Sequence, residues 1–463
     1  MDLRSRVVIW VLAALVISFG FERGADAEQT PKMLYVDVTH PKAQLFGSCS
    51  SPQVPCRRIT DALARARVIR FEQMQKPGYS EDTVRPIVIE VEPGDYVGTY
   101  GPNPNNILED LPLLLNVPKV TIRGKTVMNF DASGLPVSVV DDTRTTVRSQ
   151  ETLSAGQFLV GILQTLRNSD GTITLGNGAG VENLVIRPGG GPGVKCQEVR
   201  GVAVRHNLIG DESGPIQASG TLCSSGSGTF EGNLYIHNVL GAGFAGGPED
   251  SPSDFVFQGN RSLANSSGSI FVGGSVDPSV FSTFDLGSYE TEFTVVGRAV
   301  ETLYKTTVVI SGNDLSDNTD QPGFSFGIRI ATRFDMPGGL PGNVTATIWN
   351  NTIAGNQVGI MIDAGFPRRI YPPFSGELDI VLSGNSISDS NTLKASVSFN
   401  RTFAANIANW KYLQDTTYTI SDPDLTLQGA PVEHPATDPL DGRVLNNRLY
   451  YNGVVIPEGA TLL

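Results

Sequence analysis

Val309-Ile310-Ser311-Gly312-Asn313, Ala346-Thr347-Ile348-Trp349-Asn350-Asn351 and Val381-Leu382-Ser383-Gly384-Asn385 are three copies of one phrase, a short β-like run closed by a turn residue and an asparagine. The same phase recurs upstream at Asn207, Asn233 and Asn260. Five residues later a second polar column follows at Asn238, Asn265, Asn318 and Asn356, with Ser390 in the equivalent place. Between repeats the chain returns to an apolar run after glycine, in Gly327-Ile328-Arg329-Ile330 and Gly359-Ile360-Met361-Ile362. A unit of about 26 residues, read as three short strands and three turns, is one coil of a parallel β-solenoid.

The asparagines have a physical reading. A tight turn between strands of parallel sheets needs a residue that tolerates left-handed backbone angles, and asparagine does. Its side chain also bonds nearby backbone groups. Stacked coils set each asparagine above the last, so the amides are expected to bond along the stack.

The Gly-Asn-x-Ile/Leu-x-x-Asn pattern resembles the right-handed parallel β-helix repeats of the pectin-lyase-like superfamily. Two N-terminal pieces extend the resemblance. Arg58-Ile-Thr-Asp-Ala-Leu-Ala-Arg-Ala66 is similar to the short helix that caps the first coil in many members, and Ile87-Val-Ile-Glu-Val-Glu-Pro-Gly-Asp-Tyr96 to their first strand and turn. Val120-Thr-Ile-Arg-Gly124 looks like the next coil. The resemblance covers residues 33 to 400 and implies an all-β chain, a single right-handed parallel β-helix with an N-terminal capping helix. It implies no single activity, because the superfamily holds lyases, hydrolases, esterases, epimerases and non-catalytic adhesins.

Residues 1–27 read as a cleaved signal peptide: Arg4 and Arg6, an apolar run Val7 to Phe21, then Ala25-Asp26-Ala27. The apolar run is short of the ~20 residues a membrane span needs, and no second one follows, so a secreted or periplasmic chain without an integral span is expected. Residues 28–463 then form one β-helix domain, with the cap helix at 57–74, coils over 87–399 and a C-terminal capping region at 400–463. A net charge of −13 argues against a nucleic-acid partner and against capture of polyanions by bulk attraction. An acidic ligand would need a local basic groove.

The four cysteines allow three pairings. Cys49 and Cys56 bracket a proline-containing loop, and Cys196 and Cys223 stand about one coil apart, which favours 49–56 with 196–223. There is no Cys-x-x-Cys, and the four histidines are scattered. No metal site or cofactor is expected, with Ca²⁺ the one ion that the carboxylates named below could hold.

Alternation sorts the strand after Gly327 and its counterpart after Gly359. Ile328, Ile330, Ile360 and Ile362 point inward. Arg329, Arg333, Met361 and Asp363 point outward. The following loops hold Asp335 and then Arg368, Arg369 and Tyr371, and Lys195 and Gln217 extend the outward column. The longest insertions follow these strands, so the cluster Arg329, Arg333, Asp335, Asp363, Arg368 and Arg369 marks the expected substrate face. Outward arginines on adjacent rungs suit bidentate binding of sugar carboxylates. The same charges could instead merely solvate an exposed face. His206 and His237 fall at turns and read as polar turn residues.

The resemblance implies that substrates lie along one sheet face and that an Arg or Lys can take the proton beside a uronate carboxylate. The Gly-His-Gly and Arg-Ile-Lys combination of polygalacturonases, the paired aspartates and glutamine of pectin methylesterases, and the tryptophan motifs of pectate lyases are missing. Two readings follow. One is an exported protein that binds and cleaves an acidic polysaccharide by elimination or hydrolysis. The other is a non-catalytic β-helix of a surface or envelope.

Overall fold

In the computed structural model the described residues are 30–81, 83–101, 108–154, 156–163, 176–216, 218–248, 252–273, 275–276, 304–318, 325–331, 339–340, 342–356, 358–363, 378–383, 385–388, 395–399, 417–420, 426–427, 442–444, 449–451 and 454–456. Past Ile360 the side chains described are those of Asn385 and Ser386. The apolar leader, residues 1–27, lies outside the described residues.

Strands stack into three long sheets whose neighbours are sequential coils, paired in parallel. Sheet I runs from Lys32–Val36 through Ile87–Val91 and Val120–Arg123 to Gly442–Val444. Sheet II runs from Leu113–Leu115 to Ala395–Phe399, and sheet III includes Gly94–Tyr100 and ends at Ser386–Ser388. One coil shows the order: Ser227–Glu231 in sheet I, Leu234–Ile236 in sheet III, Leu240–Ala245 in sheet II. The chain is therefore a parallel β-helix. Inward residues of all three sheets make one continuous apolar core, with Phe230, Phe244, Phe255, Phe257 and Tyr235 packed at its middle.

The asparagine column is a hydrogen-bonded ladder at the corner between sheets I and III. The Asn207 N–H and its Nδ2 both donate to Asn233 Oδ1, at 3.0 and 3.1 Å, while Nδ2 also donates to the Val181 carbonyl. The same set repeats from Asn233 to Asn260, Asn313, Asn351 and Asn385. A second ladder joins Asn238, Asn265, Asn318 and Asn356 at the next corner; Ser390 lies outside the described residues. One part of the expectation is corrected. The left-handed backbone belongs to the residue before each ladder asparagine: His206, Gly232, Gly259, Gly312 and Asn350 at the first corner, His237, Ala264, Asp317 and Gly355 at the second. The asparagines themselves turn their amides inward and are buried. They satisfy corner N–H and C=O groups that no strand ladder can reach.

The first ladder begins at Leu184, whose N–H takes Asn207 Oδ1. In the preceding coil this corner is opened by a hairpin, Met128–Phe130 with Pro136–Val139. That hairpin folds over the outer side of sheet III, burying Val185, Leu208 and Leu234 beneath Met128 and Val139. Its tip is fixed by Asp131, 2.6 Å from Arg261, which also pairs with Asp314 at 2.9 Å. On sheet I an in-register column alternates in sign: Glu90, Arg123, Glu182, Arg205, Glu231. Sliding one coil against the next would pull these opposite charges apart.

The N-terminal end is closed by a helix, Ile59–Met74, which buries Ile59, Ala62, Leu63, Ala66 and Ile69. Its first N–H groups have no cap from Arg58. They are bonded instead by the Glu109 carboxylate, from Ile59 N at 2.7 Å and Thr60 N at 2.8 Å. Burial pushes Glu109 up to about 7, against the pull of those donors and of Arg58.

Candidate functional site

Sheet II presents one face to the core and one outward. In Val194–Gln197, Gly268–Gly273 and Phe326–Ala331 the inward residues Val194 and Cys196, Ile270 and Val272, Ile328 and Ile330 are buried. The outward residues between them are Lys195, Phe271 and Arg329. Parallel register joins these into one column. Gly161 pairs with Lys195, Lys195 with Leu222, Leu222 with Gly243, Gly243 with Phe271 and Phe271 with Arg329. At one strand spacing per step, Lys195 and Arg329 stand four rungs, or about 19 Å, apart along the axis.

Each cation lies over an aromatic ring. The Lys195 ammonium is 5.1 Å from the centre of Phe158, and the Arg329 guanidinium is 5.2 Å from the centre of Phe271. The first contact depends on Gly161, because a Cβ there would come within 2.5 Å of the Phe158 ring. Lys195 is only 9% exposed, and this burial lowers its ammonium to about 8. It remains mostly charged at neutral pH and can exchange its proton just above it. Cation–ring contacts of this kind are worth about 0.5–2 kcal/mol, rising with desolvation. Cys196 bridges to Cys223 on the next rung, with Cα atoms 4.3 Å apart, directly behind the Lys195 strand, and Cys49 bridges to Cys56.

The segments leaving two successive sheet II strands pair as an antiparallel ribbon, Ser275–Val276 with Gly339–Leu340. Ser275–Val276 belongs to the long segment between Gly273 and Tyr304, and Gly339–Leu340 to the one between Ala331 and Gly342.

Of the six residues singled out, the structure places Arg329 outward on this face. The backbone of Asp363 follows one rung on, in register with Ala331, and its side chain is not described. Arg333, Asp335, Arg368 and Arg369 lie outside the described residues, as does Gln217. Lys195 shares the Arg329 column. Sequence reading missed Phe271 and Phe158. The first sits at an outward alternation position and was open to the same argument as Arg329. The second comes from a connecting segment with no periodic signal.

His206 stands edge-on to Phe130, 5.9 Å between ring centres, and His237 Nδ1 lies 2.7 Å from the Asp211 carbonyl. Both are left-handed corner residues. Among the described residues there is no group of three His, Cys, Asp or Glu side chains able to hold a metal ion, and no helix long and apolar enough to cross a membrane.

No family model matches the chain, and no curated protein matches it. Among solved structures, the A-module of the Azotobacter vinelandii mannuronan C-5 epimerase AlgE6 is similar at 11% identity over 84% of this chain and 86% of that one, with a TM-score of 0.39. At that identity and score the likeness says nothing about chemistry here.

Proposed function

We propose that this protein binds an acidic polysaccharide laid along the outward face of sheet II, between Lys195 and Arg329. The observation that carries the reading is one register column holding two cations, each seated over an aromatic ring. The buried rings hold the cations in place, and the cations take the carboxylates of the sugar chain. Four rungs separate the cations, so they meet different sugar units. That spacing suits holding a chain better than concentrating an acid and a base on one bond. It favours the binding reading over cleavage. We propose Arg333, Asp335, Asp363, Arg368 and Arg369, the rest of the cluster expected from the sequence, as further contacts of the same ligand. Export fits the two disulfides, which persist in oxidising compartments.

The test is a panel of acidic and neutral polysaccharides, read for binding and for the ultraviolet absorbance of unsaturated products. Acidic polymers are expected to bind, more weakly as salt rises. Lys195→Ala and Arg329→Ala should each cost roughly 1.5–3 kcal/mol, the worth of one charged hydrogen bond. Lys195→Leu combined with Leu222→Lys moves a cation one rung at constant net charge. It should weaken binding as well. Equal binding of neutral and acidic polymers, or indifference to the double alanine variant, would sink the proposal. Unsaturated products would restore the lyase reading.

A further inference from the structure

Exposed large hydrophobic side chains are not scattered over this molecule. Among the described residues there are nine, and five fall between positions 45 and 71 at the N-terminal end: Leu45, Phe46, Val54, Val68 and Phe71. Three of the others, Val127, Phe130 and Val137, belong to the hairpin over sheet III and its approach. Apolar side chains gathered on one end of a molecule mark a contact surface.

The cap helix explains two of the five. Its inner face is buried against the first coils. Its outer face carries Ala64, Val68, Phe71 and Gln75, spaced i, i+4, i+7 and i+11, which is one stripe along the helix. Val68 is 45% and Phe71 40% exposed. An apolar stripe on both sides of a helix is the pattern of a helix covered on both sides. One flank of the outer stripe holds Arg65, half-buried, and Glu72, exposed, two turns apart.

We infer that a second copy of this chain covers this face, the two cap helices packing antiparallel about a two-fold axis. In that arrangement Val68 meets Phe71 of the second copy, and Phe71 meets Val68, with Ala64 opposite Gln75 in the outer layers. The same flank of each helix faces its counterpart. Arg65 then reaches Glu72 of the second copy, and Glu72 reaches Arg65. The charge pattern is self-complementary, which a two-fold interface demands, since residue i touches j and j touches i. Flanking charges of this kind set orientation in paired helices. A parallel arrangement about a two-fold axis sets this flank of one helix on the opposite side of the contact from the same flank of the other, so that Arg65 and Glu72 lose each other as partners. The dimer joins two β-helices cap to cap and leaves both sheet II faces open.

The test is the mass of the purified protein in solution as a function of concentration, against 49.4 kDa for one chain. A species of twice that mass is expected. Phe71→Glu should shift it to the monomer. Arg65→Glu and Glu72→Arg alone should each weaken association about tenfold, because two exposed pairs become repulsive. The double variant Arg65→Glu/Glu72→Arg should restore it. None of the three substituted positions is buried, so unfolding midpoints should match the parent and separate lost association from lost fold. A monomer at every concentration would overturn the inference, as would a dimer indifferent to Phe71→Glu. Weakening without rescue by the double variant would overturn the antiparallel pairing. Phe71-dependent flotation with lipid vesicles by a protein that stays monomeric would assign the patch to a bilayer and overturn it too.

Discussion

Replacing Asn313 with alanine isolates the ladder from everything else that holds a coil in place. The side chain is 1% exposed and makes four hydrogen bonds. Oδ1 accepts from Asn260 N at 2.9 Å and Asn260 Nδ2 at 3.2 Å, and Nδ2 donates to the Phe257 carbonyl at 3.0 Å and to Asn351 Oδ1 at 2.8 Å. Two partners are left partly satisfied. Asn260 Nδ2 keeps the Phe230 and Gln258 carbonyls, and Asn351 Oδ1 keeps the Asn313 N–H. The Asn260 N–H loses its acceptor outright. One stranded buried donor costs about 1–3 kcal/mol and each of the three exchanged bonds about 0.5–1.5, so Asn313→Ala should lose about 2.5–7.5 kcal/mol. Asn313→Asp should be as damaging despite its matched shape, because a second acceptor then faces Asn351 Oδ1 and the Phe257 carbonyl. Gly312→Asn is the control. Gly312 has φ of +61° with open space around a Cβ, and Asn350 already holds the equivalent position in the next coil. It should cost no more than about 1 kcal/mol. The assay is urea unfolding followed by circular dichroism, with the slope checked before midpoints are compared. If Asn313→Ala costs no more than Gly312→Asn, the ladder is incidental and the corners are held by strand pairing alone.

Other consequences can be measured on the same protein. Arg261→Ala leaves Asp131 and Asp314 without their shared cation; a loss of about 2–4 kcal/mol is expected, together with proteolysis within 128–139, and an unchanged digest would detach the hairpin from this pair. Glu109 titrates in the folded chain at about 7, above its ordinary 4.5, so its contribution to stability is complete below pH 4.5 and is lost as pH rises through 7; midpoints should fall across that window and Glu109→Gln should flatten the fall. Lys195 is lowered from 10.5 to about 8 by burial, so stability should rise between those values while affinity for an acidic polysaccharide drops. Lys195→Met should remove both trends, and an affinity that holds above pH 8 would mean that this ammonium is not a contact.

The ladder was legible because its period survives insertion. Asn260 and Asn313 are 53 positions apart, yet their amides bond at 3.2 Å, since an excursion leaves the coil and returns without changing which corner comes next. The division of labour inside each corner was not legible. His206, Gly232, Ala264, Asp317 and Asn350 share only a backbone requirement, while the neighbouring asparagine supplies side-chain bonds. Both demands fall on one dipeptide, and asparagine can meet either, so composition alone does not say which residue does which. The cap was half legible. Helical spacing marks Ile59 to Ile69, but the carboxylate that bonds its first turn comes from Glu109, fifty positions away.

The same logic separates what was and was not readable in the groove. Alternation sends Arg329 outward in any strand that buries Ile328 and Ile330, and register then carries the column back to Lys195 without further information. An aromatic ring beneath a cation needs more. Phe271 reaches Arg329 because 271 and 329 are neighbours only in the coiled chain. Phe158 reaches Lys195 because position 161 has no side chain. The cation spacing is therefore a property of the scaffold: the ladders hold each coil one strand spacing from the next, and a bound polymer meets charges at multiples of that step. Selectivity on such a face depends on which rungs carry a cation.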